Sequence, residues 1–181
     1  MAVRIVWPIF DMGSRSQEKF PRRKRRFNSS KMKILGVDCG DVIFYQISGT
    51  LVPGSLEGLR RIVRSRHFDK VYIVSKAGFL SQILFRIRFR RLNFWEYTGI
   101  PRENLYFCRR YEDKKAICEK LSVTHFIDDR FRVLHNLESV RHIFAFNPTR
   151  AREFRKYPDV ARRATIIRSW REMLPLLLRS R

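Results

Sequence analysis

Acidic residues are scarce in this chain. Seventeen Asp and Glu face 39 Lys and Arg over 181 residues, for a formal net charge of +22 and a pI near 11.1. Such a field repels cationic partners and favours polyanions: nucleic acid, an acidic membrane or a phosphorylated substrate. An Arg-rich solvated surface is the plainer reading of the same excess. Cysteine is also sparse. Cys39, Cys108 and Cys118 are too few and odd in number for a disulfide framework, and they suit free thiols in a reducing cytoplasm. No apolar run approaches the ~18 residues that a bilayer span needs. Met1 to Phe10 lacks the apolar centre and small-residue cleavage site of a secretory signal, so the expected location is cytoplasmic.

Several chemistries are missing their parts. There is no Gly-rich Walker loop. Cys108, Cys118 and His125 lack paired zinc spacing. A thiol-phosphatase loop needs Cys-x5-Arg, but Cys39 is followed at that spacing by Tyr45 and Cys108 by Lys114. His67, His125, His135 and His142 have no evident nucleophile partner.

With 44% apolar residues, the chain suits one globular domain with a full core. Residues 1–31 stand apart. They lack sustained periodicity and carry the block Pro21-Arg22-Arg23-Lys24-Arg25-Arg26, which repels itself. They are expected to form a basic, disordered arm, dispensable for the fold, ahead of a domain over residues 32–181. That arm holds nine Lys/Arg against Asp11 and Glu18, so the domain itself still carries about +15.

From Lys33 onward strands and helices alternate. Strands are expected at 33–38, 71–75, 105–108, 124–127 and 142–146. Helices are expected from Ser55 as cap to about His67, over 79–97, 114–121 and 130–137, and from about Ser169 to Leu178. The segment 42–53 is an irregular excursion. The pattern predicts a Rossmann-like three-layer α/β/α sandwich with a mainly parallel sheet of about five strands. Ligands bind such sheets beyond the carboxyl ends of the strands.

Four short islands end apolar runs: Ile34 to Asp41, Val71 to Ser75, Asp113-Lys114-Lys115, and His125 to Asp129. Asp38 is a carboxylate able to act as nucleophile, or a turn-forming Asp. Asp128 and Asp129 repel each other, and a cation is a natural reason to pair them; one of them also suits the capping of the next helix. Ser75 offers a hydroxyl to phosphate oxygens, or serves as an N-cap. Lys114 offsets negative charge, with Lys115 beside it. Together these are the parts of a magnesium-assisted phosphoryl transfer.

The ordered set resembles the haloacid dehalogenase (HAD) superfamily. The stretch Thr98-Gly99-Ile100-Pro101, Phe107-Cys108, Asp113-Lys114, Ile117-Cys118 and Thr124-His125-Phe126-Ile127-Asp128-Asp129-Arg130 strengthens the likeness to its small members. The resemblance implies a Mg2+-dependent phosphohydrolase acting through an aspartyl-phosphate on Asp38. It implies phosphate binding by Ser75 and Lys114, and metal binding by Asp38, the Gly40 carbonyl, Asp128 and Asp129. Only 37 positions separate Asp38 from Ser75, which leaves no room for a large cap domain. Capless members tend to accept large or macromolecular substrates. One position departs from the family's Asp-x-Asp motif. Gly40 stands where the second Asp, the general acid, belongs, and Asp41 is the nearest substitute. The resemblance therefore leaves open a weak or inactive protein that binds polyanions. Arg86, Arg88, Arg90 and Arg91, interleaved with Phe85, Phe89, Phe94 and Trp95, and the N-terminal basic run would suit nucleic acid. Equally, they are the wet face of a helix whose aromatics are core.

Overall fold

The computed structural model describes residues 32–148 and 151–179; the expected basic arm over 1–31 lies outside the described residues. Six strands form one sheet: β1 (Ile34–Val37), β2 (Lys70–Lys76), β3 (Leu105–Cys108), β4 (His125–Asp128), β5 (His142–Phe146) and β6 (Thr165–Ile167). Their order is β3-β2-β1-β4-β5-β6, and every pairing is parallel. The expected α/β sandwich is present, with one strand more than anticipated. Three-residue β6 lies at the sheet edge, too short and too exposed to announce itself as an apolar run.

Helices cover both faces, because parallel strands alternate apolar side chains to two sides. On one face Leu35, Val37, Ile73 and Ile127 pack under α1 (Ser55–Ser65), α2 (Phe79–Arg91), α3 (Phe94–Thr98) and α8 (Trp170–Arg179). On the other, Ile34, Val74, Phe126 and Ile143 pack under α4 (Asp113–Lys120), α5 (Phe131–His135) and α7 (Pro158–Arg163); α6 (Ala151–Lys156) precedes α7. Gly36 is imposed by this packing. A Cβ there would fall 2.4 Å from the Phe126 ring, so no larger residue fits in the middle of β1. Among the described residues no helix is long and apolar enough to cross a membrane.

Three expectations are corrected. The single helix over 79–97 is two helices. Asn93 takes a left-handed conformation (φ 46°) and turns the chain, which lets Phe94 and Trp95 pack against Phe89. The Ser55 side chain does not cap α1. Gly54 is the left-handed N-cap (φ 79°), and the buried Ser55 hydroxyl donates to the Ile43 carbonyl. Helices α6 and α7 add structure between the strand at 142–146 and the last helix, where no element was anticipated.

The strand order fixes where a ligand site can form. The chain moves outward from β1 to β2 and β3, then returns to lay β4 on the other side of β1. The connections leaving β1 and β4 therefore diverge and open a crevice at their carboxyl ends. After β1 the chain makes a tight excursion. The amides of Ile43 and Phe44 both donate to the Cys39 carbonyl, and Phe44 bridges to Gly40 and Leu51. Buried Val42, Ile43 and Phe44 anchor it, and Trp170 Nε1 donates to the Val42 carbonyl at 2.8 Å.

Candidate active site

Asp38 follows β1 and Asp128 ends β4, so the switch point brings two carboxylates together. Both are buried. Lys114, in the first turn of α4, reaches between them. Its Nζ lies 2.6 Å from Asp38 Oδ1 and 2.6 Å from Asp128 Oδ2. The second oxygen of each carboxylate takes a backbone amide: Gly40 N–H to Asp38 Oδ2 at 2.7 Å, and Arg130 N–H to Asp128 Oδ1 at 2.9 Å. Asp128 thus also secures the turn into α5. Charged groups survive burial only when so paired and hydrogen-bonded.

The three carboxylates crowd one another, with only Lys114 and Arg130 bonded directly to them. Burial works against the Lys114 ammonium, yet the charges of Asp128 and Asp38 outweigh it and raise its pKa. Burial pushes the Asp128 carboxyl up, against the pull of Lys114, with repulsion from Asp38 adding to the push. Burial, with the charges of Asp128 and Asp38, also raises Asp129, although Arg130 Nε binds it at 2.9 Å. Three carboxylates thus share one lysine and one arginine.

These groups line a small polar cavity of about 120 Å3. Small-molecule pockets usually hold ~300–1,000 Å3, so this one suits a single tetrahedral anion and leaves the remainder of any substrate outside. A larger cavity, about 510 Å3, lies beside α2 and α3 around Arg86, Arg90 and Trp95 and contains none of the candidate catalytic groups.

Of the sequence-derived residues, Asp38, Gly40, Lys114, Asp128 and Asp129 line the small cavity. Ser75 and Asp41 do not. Ser75 is buried inside β2, opposite Phe107 of β3, and its side chain bonds Cys39. Asp41 has a left-handed backbone (φ 53°), and its Oδ1 accepts the Gln46 backbone N–H at 2.9 Å, closing the excursion. Lys115 points away and pairs with Glu138 at the surface. Cys39 is buried, and burial with the charge of Asp38 pushes its thiol well up, away from the thiolate form.

Sequence reasoning missed Gln46, Lys76, Ser81 and Tyr111 on the cavity wall. Gln46 is the most informative. A Cβ on Gly40 would stand 3.4 Å from Asp38 Oδ2 and 3.5 Å from Gln46 Nε2. The Gln46 amide therefore borders the volume that a side chain at position 40 would enter. Arg130 holds it there, donating to Gln46 Oε1 at 3.1 Å. An amide donates hydrogen bonds but gives up no proton. Gln46 lies in the irregular excursion, six residues past Gly40, where no local pattern marks it. Arg130 was legible only as the neighbour of the acidic pair.

No family model matches the sequence, and no curated protein matches it. Solved structures do. One is a provisionally named haloacid dehalogenase-like hydrolase from Burkholderia xenovorans LB400, with a TM-score of 0.50 and 16% identity. The match covers 77% of this chain and 63% of that one, so the chain spans less than two thirds of its length. At this identity the likeness is one of fold, and the fold is HAD-like.

Proposed function

We propose that the protein is a Mg2+-dependent phosphohydrolase whose nucleophile is Asp38. The observation that carries this reading is the shared Lys114 ammonium, 2.6 Å from both Asp38 and Asp128, on the wall of a cavity of phosphoryl size. The donor set suits a hard divalent cation. Asp38, Asp128 and Asp129 offer carboxylate oxygens, Gly40 a carbonyl, and the mutual repulsion of the carboxylates is what a cation relieves. Among the described residues no three His, Cys, Asp or Glu side chains form a ready cage. Magnesium needs only one or two carboxylates, completed by phosphate oxygens and water. When bound, it would neutralise charge on the transferring phosphoryl group.

The chain's own groups supply the remainder. Asp38 attacks phosphorus, the ester P–O bond breaks, and the leaving oxygen departs with the electron pair. Lys114 offsets the charge on nucleophile and phosphoryl oxygens. Water then attacks the phosphorus of the aspartyl-phosphate, releasing inorganic phosphate and restoring the carboxylate. Nothing at position 40 protonates the leaving oxygen, and the Asp41 side chain is engaged by the Gln46 backbone N–H. The substrates are therefore those that leave without a proton: aryl or acyl phosphates and phosphoanhydrides. The narrow cavity and absence of a roof among the described residues suit a phosphoryl group at the end of a large molecule.

The test is phosphate release from an aryl phosphate with and without Mg2+. Turnover that requires the metal and disappears in Asp38→Asn supports the reading. Turnover that persists in Asp38→Asn overturns it. The missing donor at Gly40 favours a second reading, a phosphate-binding protein without turnover. Mg2+-dependent phosphate binding with no release from any ester would establish that instead.

A further inference from the structure

Helix α2 is apolar on two opposite faces. Phe85 and Phe89 are buried in the core. Phe79, Leu80, Ile83, Leu84 and Ile87, at i, i+1, i+4, i+5 and i+8, form a stripe on the other side, each 41–74% exposed. An outward aliphatic stripe of this length is not what a solvated helix carries. Ile47, wholly exposed, lies on an adjoining turn: the Arg88 guanidinium packs directly against Gly49 of that turn.

The charges on the helix itself are of one sign, and the nearby Glu96 is paired with Arg102. Arg86, Arg88, Arg90 and Arg91 occupy the C-terminal half of α2, which contains no Asp or Glu. Arg86, Arg90 and Arg91 are exposed. Hydrocarbon-seeking side chains flanked by arginines match an interface with hydrocarbon below and anionic headgroups above.

We infer that α2 docks the protein on anionic phospholipid surfaces, with Leu80, Ile83, Leu84 and Ile87 entering the headgroup boundary and the arginines meeting lipid phosphates. Nucleic acid fits less well. It would satisfy the arginines but offers no hydrocarbon to aliphatic side chains, which do not stack on bases as aromatics do. A second copy of the chain fits less well, since α2 carries no Asp or Glu to meet a partner copy's arginines across this face. The Gly78 and Ser81 end of α2 borders the catalytic cavity, so docking would hold the site beside the membrane plane. The docking itself does not depend on whether that cavity turns over phosphate.

The experiment is co-sedimentation of the full chain with vesicles of phosphatidylcholine alone or mixed with phosphatidylglycerol, across a salt series. Wild type should partition to the mixed vesicles, more weakly as salt rises. The triple variant Leu80→Ser/Leu84→Ser/Ile87→Ser should lose about tenfold or more of that binding. Its thermal melt should fall only modestly, by the cost of serine in a helix, because the three side chains are about half exposed or more. Arg86→Gln/Arg90→Gln should also weaken binding and flatten the salt dependence. Equal binding by wild type and the triple variant would overturn the inference, assigning the lipid affinity to bulk charge. Failure of wild type to bind mixed vesicles would overturn it too. So would a concentration-dependent dimer abolished by the triple variant, or oligonucleotide binding that needs the arginines and ignores the serines. Partitioning is read without turnover, so its failure is separate from failure of the phosphohydrolase reading.

Discussion

Replacing Gly40 by Asp would return a proton donor to the cavity. Gly40 is not among the glycines with positive φ, so an L-residue there meets no backbone strain. Its Cβ would stand 3.4 Å from Asp38 Oδ2 and 3.5 Å from Gln46 Nε2, at ordinary van der Waals distance. The carboxyl must then displace the end of one flexible side chain, Gln46. The new group sits beside Asp38 in a site already rich in negative charge, so its pKa is raised and it holds its proton. A positioned general acid contributes ~10²–10⁴ in rate, about 3–5 kcal/mol of barrier. The gain should depend on the leaving group. An alkyl phosphate, whose alkoxide needs the proton, should gain about the full factor, and an aryl phosphate much less. The assay is the initial rate of phosphate release from both esters by wild type, Gly40→Asp and Gly40→Asn, with Mg2+. The Asn variant fills the same space without an acidic proton and should not gain. Equal gains on both esters, or a gain with Asn, would refute the reasoning. So would no change in a wild type that is active through Asp38.

Other perturbations test the surrounding structure. Lys114→Met leaves Asp38 and Asp128 buried without their shared cation. It should cost about 3–5 kcal/mol in urea unfolding at neutral pH, and adding Asp128→Asn should recover part of the loss. His125 is buried, and burial with the charges of His142 and Lys33 pushes its pKa down to about 4. A histidine depressed on folding stabilises at pH above its unfolded value of about 6.5, and that stability drains away as pH falls toward 4. The raised Asp128 and Asp129 carboxyls act in the opposite sense over this interval, so the His125 contribution, up to about 3 kcal/mol, is read as a difference: as pH falls from about 6.5 to 4, wild type should lose stability relative to His125→Leu. Gly36→Ala forces a methyl to within 2.4 Å of the Phe126 ring. It should destabilise by about 1–3 kcal/mol, with partial rescue by Phe126→Leu; an unchanged melt would contradict the packing described.

What the sequence determined by itself is local. Apolar runs such as Val71 to Val74 and Phe126-Ile127 mark buried strands because both faces of a parallel sheet are covered. Polar residues just past such runs, Asp38 and Asp128, fall on one rim because all strands point the same way. That rule needs no coordinates and placed Asp38, Asp128 and Asp129 on one rim; the resemblance added Gly40, Lys114 starts a helix facing the same rim, and all five line one cavity. Tertiary structure decided what depends on side-chain direction and on contacts distant in sequence. Ser75 was expected to be the last residue of its strand, but pairing with β3 extends β2 to Lys76 and keeps Ser75 inside it. Asp41 is one residue from the vacant acid position, yet its left-handed backbone turns the carboxylate to the Gln46 backbone N–H. Gln46 borders that position because the excursion folds back over Gly40 and Arg130, 84 residues away, fixes its side chain. The same limit applied to α2. Its sequence shows apolar residues at both helical and alternate spacing. Phe85 and Phe89 as helix core was one of two readings left open; packing against the sheet decides for it and leaves the stripe from Phe79 to Ile87 without a partner among the described residues. Periodicity encodes which residues are apolar, but the neighbours supplied by the fold determine which of them are covered.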